Sequence, residues 1–138
     1  MSRIGLAEEP ITRDVIGAFF EVYNTLGYGF LEHVYGRALE RELTARGLAV
    51  AREVGVRVLY KGEPLCVQRL DMVVAGKVIV EIKSAFDLQA TAERQLYNYL
   101  RSSSFEVGLL LHFGPVPRFY RLYARNLAPG PGRPPPGS

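Results

Sequence analysis

The run Val107–Phe113, apolar but for His112, constrains the fold most, because it follows a helical stretch that itself follows a strand-like run over 77–83. Seven residues are too few for a buried helix and suit a strand covered on both faces. Strand, helix and strand in that order predict a parallel pair joined by a right-handed crossover. The chain must therefore contain a layered sheet with a helix packed on it.

The rest of the pattern extends this unit. Val15, Ile16, Phe19, Phe20, Val22, Tyr23 and Leu26 recur at helical spacing and predict a helix over 11–26, broken by Gly27 and Gly29. A second helix is expected over 31–46, with Gly47 placed to end it in a left-handed conformation. From Leu48 the composition turns valine-rich. Strands are expected over 48–60, 65–73 and 77–83, forming an antiparallel meander with turns at 61–64 and 75–76. A helix over 90–102 precedes Val107–Phe113, and 118–123 alternates as a last strand. The fold class is α/β (α+β): a mixed four- to five-stranded sheet flanked by helices, in the order αα-βββ-α-ββ. Residues 1–127 read as one domain. Residues 128–138 are mostly proline and glycine and read as a disordered tail.

Composition excludes several classes. The one cysteine, Cys66, rules out an internal disulfide and a cysteine-based zinc or iron–sulfur centre. It reads as a core residue. His33 and His112 are far apart and form no metal-binding pair; His112 reads as structural. No apolar run approaches the roughly 18 residues that cross a bilayer. The first ten residues do not resemble a secretion signal, so the expected location is cytoplasmic. A net charge of +3 permits a polyanionic partner without requiring one.

Three charges interrupt the strand-like runs. Asp71 stands in the second strand, and Glu81 and Lys83 in the third. Charged groups in buried strands need compensation. Period two puts Glu81 and Lys83 on one face. A two-residue hairpin loop would aim Asp71 away from them. A three-residue loop over 74–76, with Gly76 left-handed, would bring Asp71 opposite Ile79 and onto the face of Glu81, and this register is expected. Two carboxylates so placed repel. A divalent cation relieves the conflict, and oxygen donors suit Mg2+ or Mn2+. Phosphodiester cleavage needs a polarised phosphoryl oxygen, an activated water and charge compensation, and a lysine beside the acids completes that set. The ordinary alternative is that Asp71, Glu81 and Lys83 form surface ion pairs on a solvent-exposed sheet face.

Two further groups bear on the choice. Glu32 and Tyr35 share a helix face near its N-terminus, where an acid is favoured by the dipole. Gln95 and Tyr99 lie four apart on the third helix, and Gln95 falls in the expected buried stripe, where it needs a polar partner. Arg94 and Arg101 on the same helix are candidate phosphate contacts.

Together these segments resemble a known family. Gly29-Phe30-Leu31-Glu32-His33-Val34-Tyr35 matches the GxxExxY signature of a family of small bacterial and archaeal proteins. The likeness continues through Tyr60-Lys61-Gly62, Arg69-Leu70-Asp71, Val80-Glu81-Ile82-Lys83, Gln95 to Leu100 and Val107-Gly108-Leu109-Leu110. That family is assigned to the PD-(D/E)XK superfamily, with the restriction-endonuclease-like fold. The resemblance implies Asp71, Glu81, the backbone carbonyl of Ile82 and Glu32 as metal ligands, with Mg2+ or Mn2+ as cofactor. It implies Lys83 as the catalytic lysine, and Gln95 and Tyr99 as a QxxxY motif that supports the site and contacts DNA. Tyr99, Tyr35 and Arg94 are then the expected substrate contacts. Position 70 is leucine where the superfamily name has proline. His33 lies about 100° around the helix from Glu32, so Glu32 is favoured over it. The expected activity is a metal-dependent nuclease hydrolysing phosphodiester bonds, with DNA as the expected partner. The alternative is an inactive nuclease-fold module that binds nucleic acid or protein. A homo-oligomer or a partner-dependent subunit also stays open.

Overall fold

The computed structural model describes residues 8–124. The proline-rich segment read as a disordered tail, 128–138, lies outside the described residues. Eight elements follow in order: α1 (Glu9–Leu26), α2 (Glu32–Ala45), β1 (Val50–Tyr60), β2 (Glu63–Val74), β3 (Val78–Ser84), α3 (Ala92–Arg101), β4 (Val107–Phe113) and β5 (Pro117–Tyr123). The expected order of elements is met throughout. α2 ends as its sequence predicts: Gly47 takes φ +86°, the Leu48 amide donates to Leu43 C=O, and the Gly47 amide to Thr44 C=O.

The five strands form one sheet in the order β1-β2-β3-β4-β5. β3 and β4 are parallel and all other neighbours antiparallel, so the helix between β3 and β4 makes the expected crossover. α1 and α2 cover one face, where Phe19, Tyr35, Leu39 and Leu43 meet Met72, Val80, Leu109 and Phe113. α3 covers the other, where Leu96 and Leu100 meet Val73, Ile79 and Leu110. Both faces of β4 are therefore buried, which explains its unbroken apolar character. Among the described residues no helix is long and apolar enough to cross a membrane.

Two irregularities position the site. In the β2–β3 hairpin, Ala75 and Gly76 both have positive φ, the Lys77 amide donates to Val74 C=O, and Val74 pairs with Val78. Lys77 is thus an extra residue beyond a tight turn. The odd register is as expected, but the loop sits at 75–77 rather than 74–76. The shift sets Asp71 directly across from Glu81 instead of opposite Ile79.

The second irregularity is a change of face in the β1–β2 ribbon. Arg52 pairs with Met72, and Val54 with Leu70. Met72 packs under α1 and α2, and Arg52 reaches Glu40 of α2 at 3.2 Å. Leu70 and Val54, two residues along, pack on the α3 side instead. A regular strand keeps residues two apart on one face. The switch occurs at Glu53, whose φ of +54° is rare for a residue with a side chain, and at Asp71 opposite it. Beyond this kink the ribbon is largely exposed. Cys66 lies there, in solvent and not in the core as its strand position suggests.

Candidate active site

The β2–β3 ladder ends at the pair Met72↔Val80. One residue further on, side chains take over from backbone. The Asp71 amide donates to Glu81 Oε1 at 3.0 Å, and the Ile82 amide donates to Asp71 Oδ2 at 2.7 Å. Each carboxylate thus accepts an amide of the opposite strand, and Asp71 Oδ1 and Glu81 Oε2 keep their lone pairs free of described partners. Since N–H and C=O of one strand residue point to the same side, the Ile82 carbonyl also faces Asp71.

Glu81 is 9% exposed. Burial first, and the adjacent Asp71 carboxylate second, push its pKa up to about 7; the Asp71 amide and Lys83 pull the other way, and Glu32 adds to the rise. Lys83 follows on the same face, partly buried, and makes no ion pair among the described residues. With Glu81 buried and none of the three charges in an ion pair among the described residues, surface ion pairing on an exposed face does not describe them.

Glu32 opens α2, and its Oε2 accepts the Ser84 amide at 3.1 Å. With Lys83 and Gln95 it lines a cleft of about 250 Å³ between α2 and α3, closed on one side by residues 85–89. Glu32 is thus in the cleft but anchored on Ser84. Among the described residues no three His, Cys, Asp or Glu side chains gather as a metal cluster, while the charge of Glu32 is near enough to Glu81 to add to its raised pKa.

Other expected site residues fall differently. Gln95 is exposed, not within the buried stripe, which consists of Ala92, Leu96 and Leu100. One residue on a helix turns 100°, enough to carry Gln95 off that stripe into the cleft. Tyr99 is partly buried, and its hydroxyl accepts from Gln68 Nε2 at 3.4 Å. Burial, and then the charges of Glu81 and Asp71, raise the Tyr99 pKa, which places the phenol in the field of the acid pair. Tyr35 is no substrate contact. It is fully buried, stacks on Phe113 with centroids 4.0 Å apart, donates to Gly27 C=O and accepts the Phe30 amide at 3.2 Å. It holds the glycine loop that feeds Glu32 into the cleft. Arg94 lies over the Tyr97 ring at 5.3 Å and does not line the cleft. Gln68, invisible to sequence reasoning, enters because the kinked ribbon folds over α3.

Does this donor set suit a divalent ion? Two carboxylates with a free oxygen each, a main-chain carbonyl on the same side, and a buried acid in conflict with its neighbour fit a hard cation that prefers oxygen.

A five-stranded mixed sheet between helices, with Asp71, Glu81 and Lys83 at the point where β2 leaves β3, defines a restriction-endonuclease-like domain. Residues 9–122 match the PD-(D/E)XK nuclease superfamily, and the chain belongs to it. A solved structure described as the crystal structure of SSO0001 resembles it in fold, with TM-score 0.51 and 23% identity over 66% of this chain. The likeness spans 48% of that protein's length. No curated protein sequence matches the chain.

Proposed function

We propose that the protein is a divalent-metal-dependent nuclease that hydrolyses phosphodiester bonds, with DNA as substrate and the cytoplasm as its location. The observation that carries this reading is the crossed amide–carboxylate pairing of Asp71 and Glu81, which leaves a buried and a partly buried acid side by side with one free oxygen each. Asp71, Glu81 and the Ile82 carbonyl would hold Mg2+ or Mn2+, whose bound form polarises a phosphoryl oxygen and acidifies a water. Lys83, beside them and in no ion pair among the described residues, orients the attacking water and offsets charge that develops on the phosphoryl oxygens. Glu32, fixed by the Ser84 amide, faces the cleft and draws the lysine and water into line. Gln95 contacts the substrate from the far wall, and Tyr99 supports the acids. The spacing of Gly29, Glu32 and Tyr35 supports membership of the GxxExxY branch of the superfamily.

The second reading is a module that binds nucleic acid or a protein partner without cutting. It draws on Leu59, Tyr60, Leu65 and Val67, all more than half exposed at the far end of the β1–β2 ribbon. A cleavage assay in magnesium, manganese and EDTA separates the two. Metal-dependent cleavage that is lost in both Asp71→Ala and Lys83→Ala is expected of the nuclease. Binding without cleavage on every substrate supports the module, and equal cleavage by both variants rules out the proposed site.

A further inference from the structure

Beside the candidate active site lies a second compartment, of about 530 Å³, lined among others by Phe86, Asp87, His112, Arg118 and Tyr120. It shares Asp87 and Leu88 with the cleft of Glu32, Lys83 and Gln95, so the two are halves of one groove divided by the segment 85–88. The sheet fixes their relation. Lys83 pairs with His112 in β4, and His112 with Arg118 in β5. In-register neighbours share a face, so the three form a row across three strands, starting at the lysine of the acid pair.

The divider is anchored. His112, 5% exposed, joins its Nε2 to Ala85 C=O at 2.9 Å. Gly114 closes against the same ring: a Cβ there would lie 2.7 Å from Nε2 and 3.0 Å from the Ala85 oxygen. The Nδ1 of His112 has no partner among the described residues. Arg118 is exposed and likewise makes no ion pair or hydrogen bond among them. Phe86 is 67% exposed on the rim, with Tyr120 partly buried opposite the histidine strand. An aromatic wall beside an unpaired guanidinium is the chemistry that receives a base and its phosphate.

We propose that this compartment holds the nucleotide next to the scissile phosphate, with Arg118 on its phosphate and Phe86 and Tyr120 stacked on its base. A base enters an aromatic-walled pocket only when unpaired, so the substrate class is single-stranded or frayed nucleic acid rather than intact duplex. Asp87, an exposed acid in the same lining, disfavours a second phosphate there. The inference rests on the nuclease reading for the position of the scissile bond, but the pocket is tested without cleavage.

The test is fluorescence anisotropy in EDTA with a labelled eight-nucleotide single strand and a blunt hairpin duplex of equal length. The single strand is expected to bind at least about tenfold tighter. Phe86→Ala and Arg118→Gln should each weaken single-strand binding by about five- to tenfold, with duplex binding little changed and melting curves intact, since both side chains are exposed. Equal affinity for the two probes, or wild-type affinity in both folded variants, overturns the proposal. Preference and variant effects that persist in a protein without nuclease activity support the pocket while removing the nuclease reading. Cleavage without strand preference removes the pocket alone.

Discussion

Asp71 and Glu81 face one another where β2 parts from β3, and the amide of the first donates to the carboxylate of the second at 3.0 Å. The arrangement gives each acid one strong partner but leaves Glu81 buried beside a like charge. Its pKa, pushed up to about 7 chiefly by burial and then by Asp71, makes stability depend on pH. A carboxyl with a raised native pKa favours folding while protonated. That contribution is complete below the unfolded value near 4.5 and is lost as pH rises through about 7. In EDTA, Glu81→Gln should therefore stabilise the protein at pH 8 relative to wild type, on the order of 1–3 kcal/mol, and have little effect at pH 5. Thermal melts at the two pH values check this; equal effects at both would remove the electrostatic cause.

The same proton competes with metal. Manganese affinity should fall steeply as pH drops below about 7, because Glu81 must lose its proton to become a ligand. At about 100 times the dissociation constant, metal should stabilise the fold by about 2.7 kcal/mol. Asp71→Asn should abolish the shift. Calorimetric titration at pH 6 and 8, with melts alongside, reads both.

Glu53 holds the kink that delivers Asp71 to β3. Its φ of +54° is hardest for a β-branched residue and easiest for glycine. Glu53→Val should destabilise by about 1–3 kcal/mol and depress cleavage, whereas Glu53→Gly should stay within about 1 kcal/mol of wild type. Urea denaturation of the two variants gives the comparison.

Tyr35→Phe keeps the stacking on Phe113 but removes the hydroxyl that bonds Gly27 C=O and the Phe30 amide. A loss of about 1–3 kcal/mol is expected, with lower cleavage through a loosened Glu32. Binding of single-stranded probe should fall far less, since this ring meets no solvent. A variant that loses binding and keeps stability would return Tyr35 to the substrate.

Much of this was legible in the chain. Periodicity over 11–26, the glycines at 27, 29, 47 and 76, and the apolar β4 run give the elements and the parallel pair. Asp71, Glu81 and Lys83 declare themselves as charges in strands. Gln95 misled because a ten-residue helix stripe is narrow, and one step around it separates core from cleft. Cys66 misled because a strand pattern does not say how far a ribbon extends past the core. Arg118 and Phe86 gave no signal; an exposed arginine and a loop phenylalanine are commonplace until their neighbours are known.

The chain by itself determined the sequence of helices and strands, the crossover, and which charges are out of place, because these follow from side-chain spacing along a local backbone. The tertiary structure alone decided that Asp71 meets Glu81 face to face, that Tyr35 is sealed inside, and that His112 and Arg118 continue the row begun by Lys83. Those relations depend on strand register and on a backbone kink at Glu53, both set by contacts between residues distant in sequence, and a shift of one residue would have aimed the same side chains at the opposite surface.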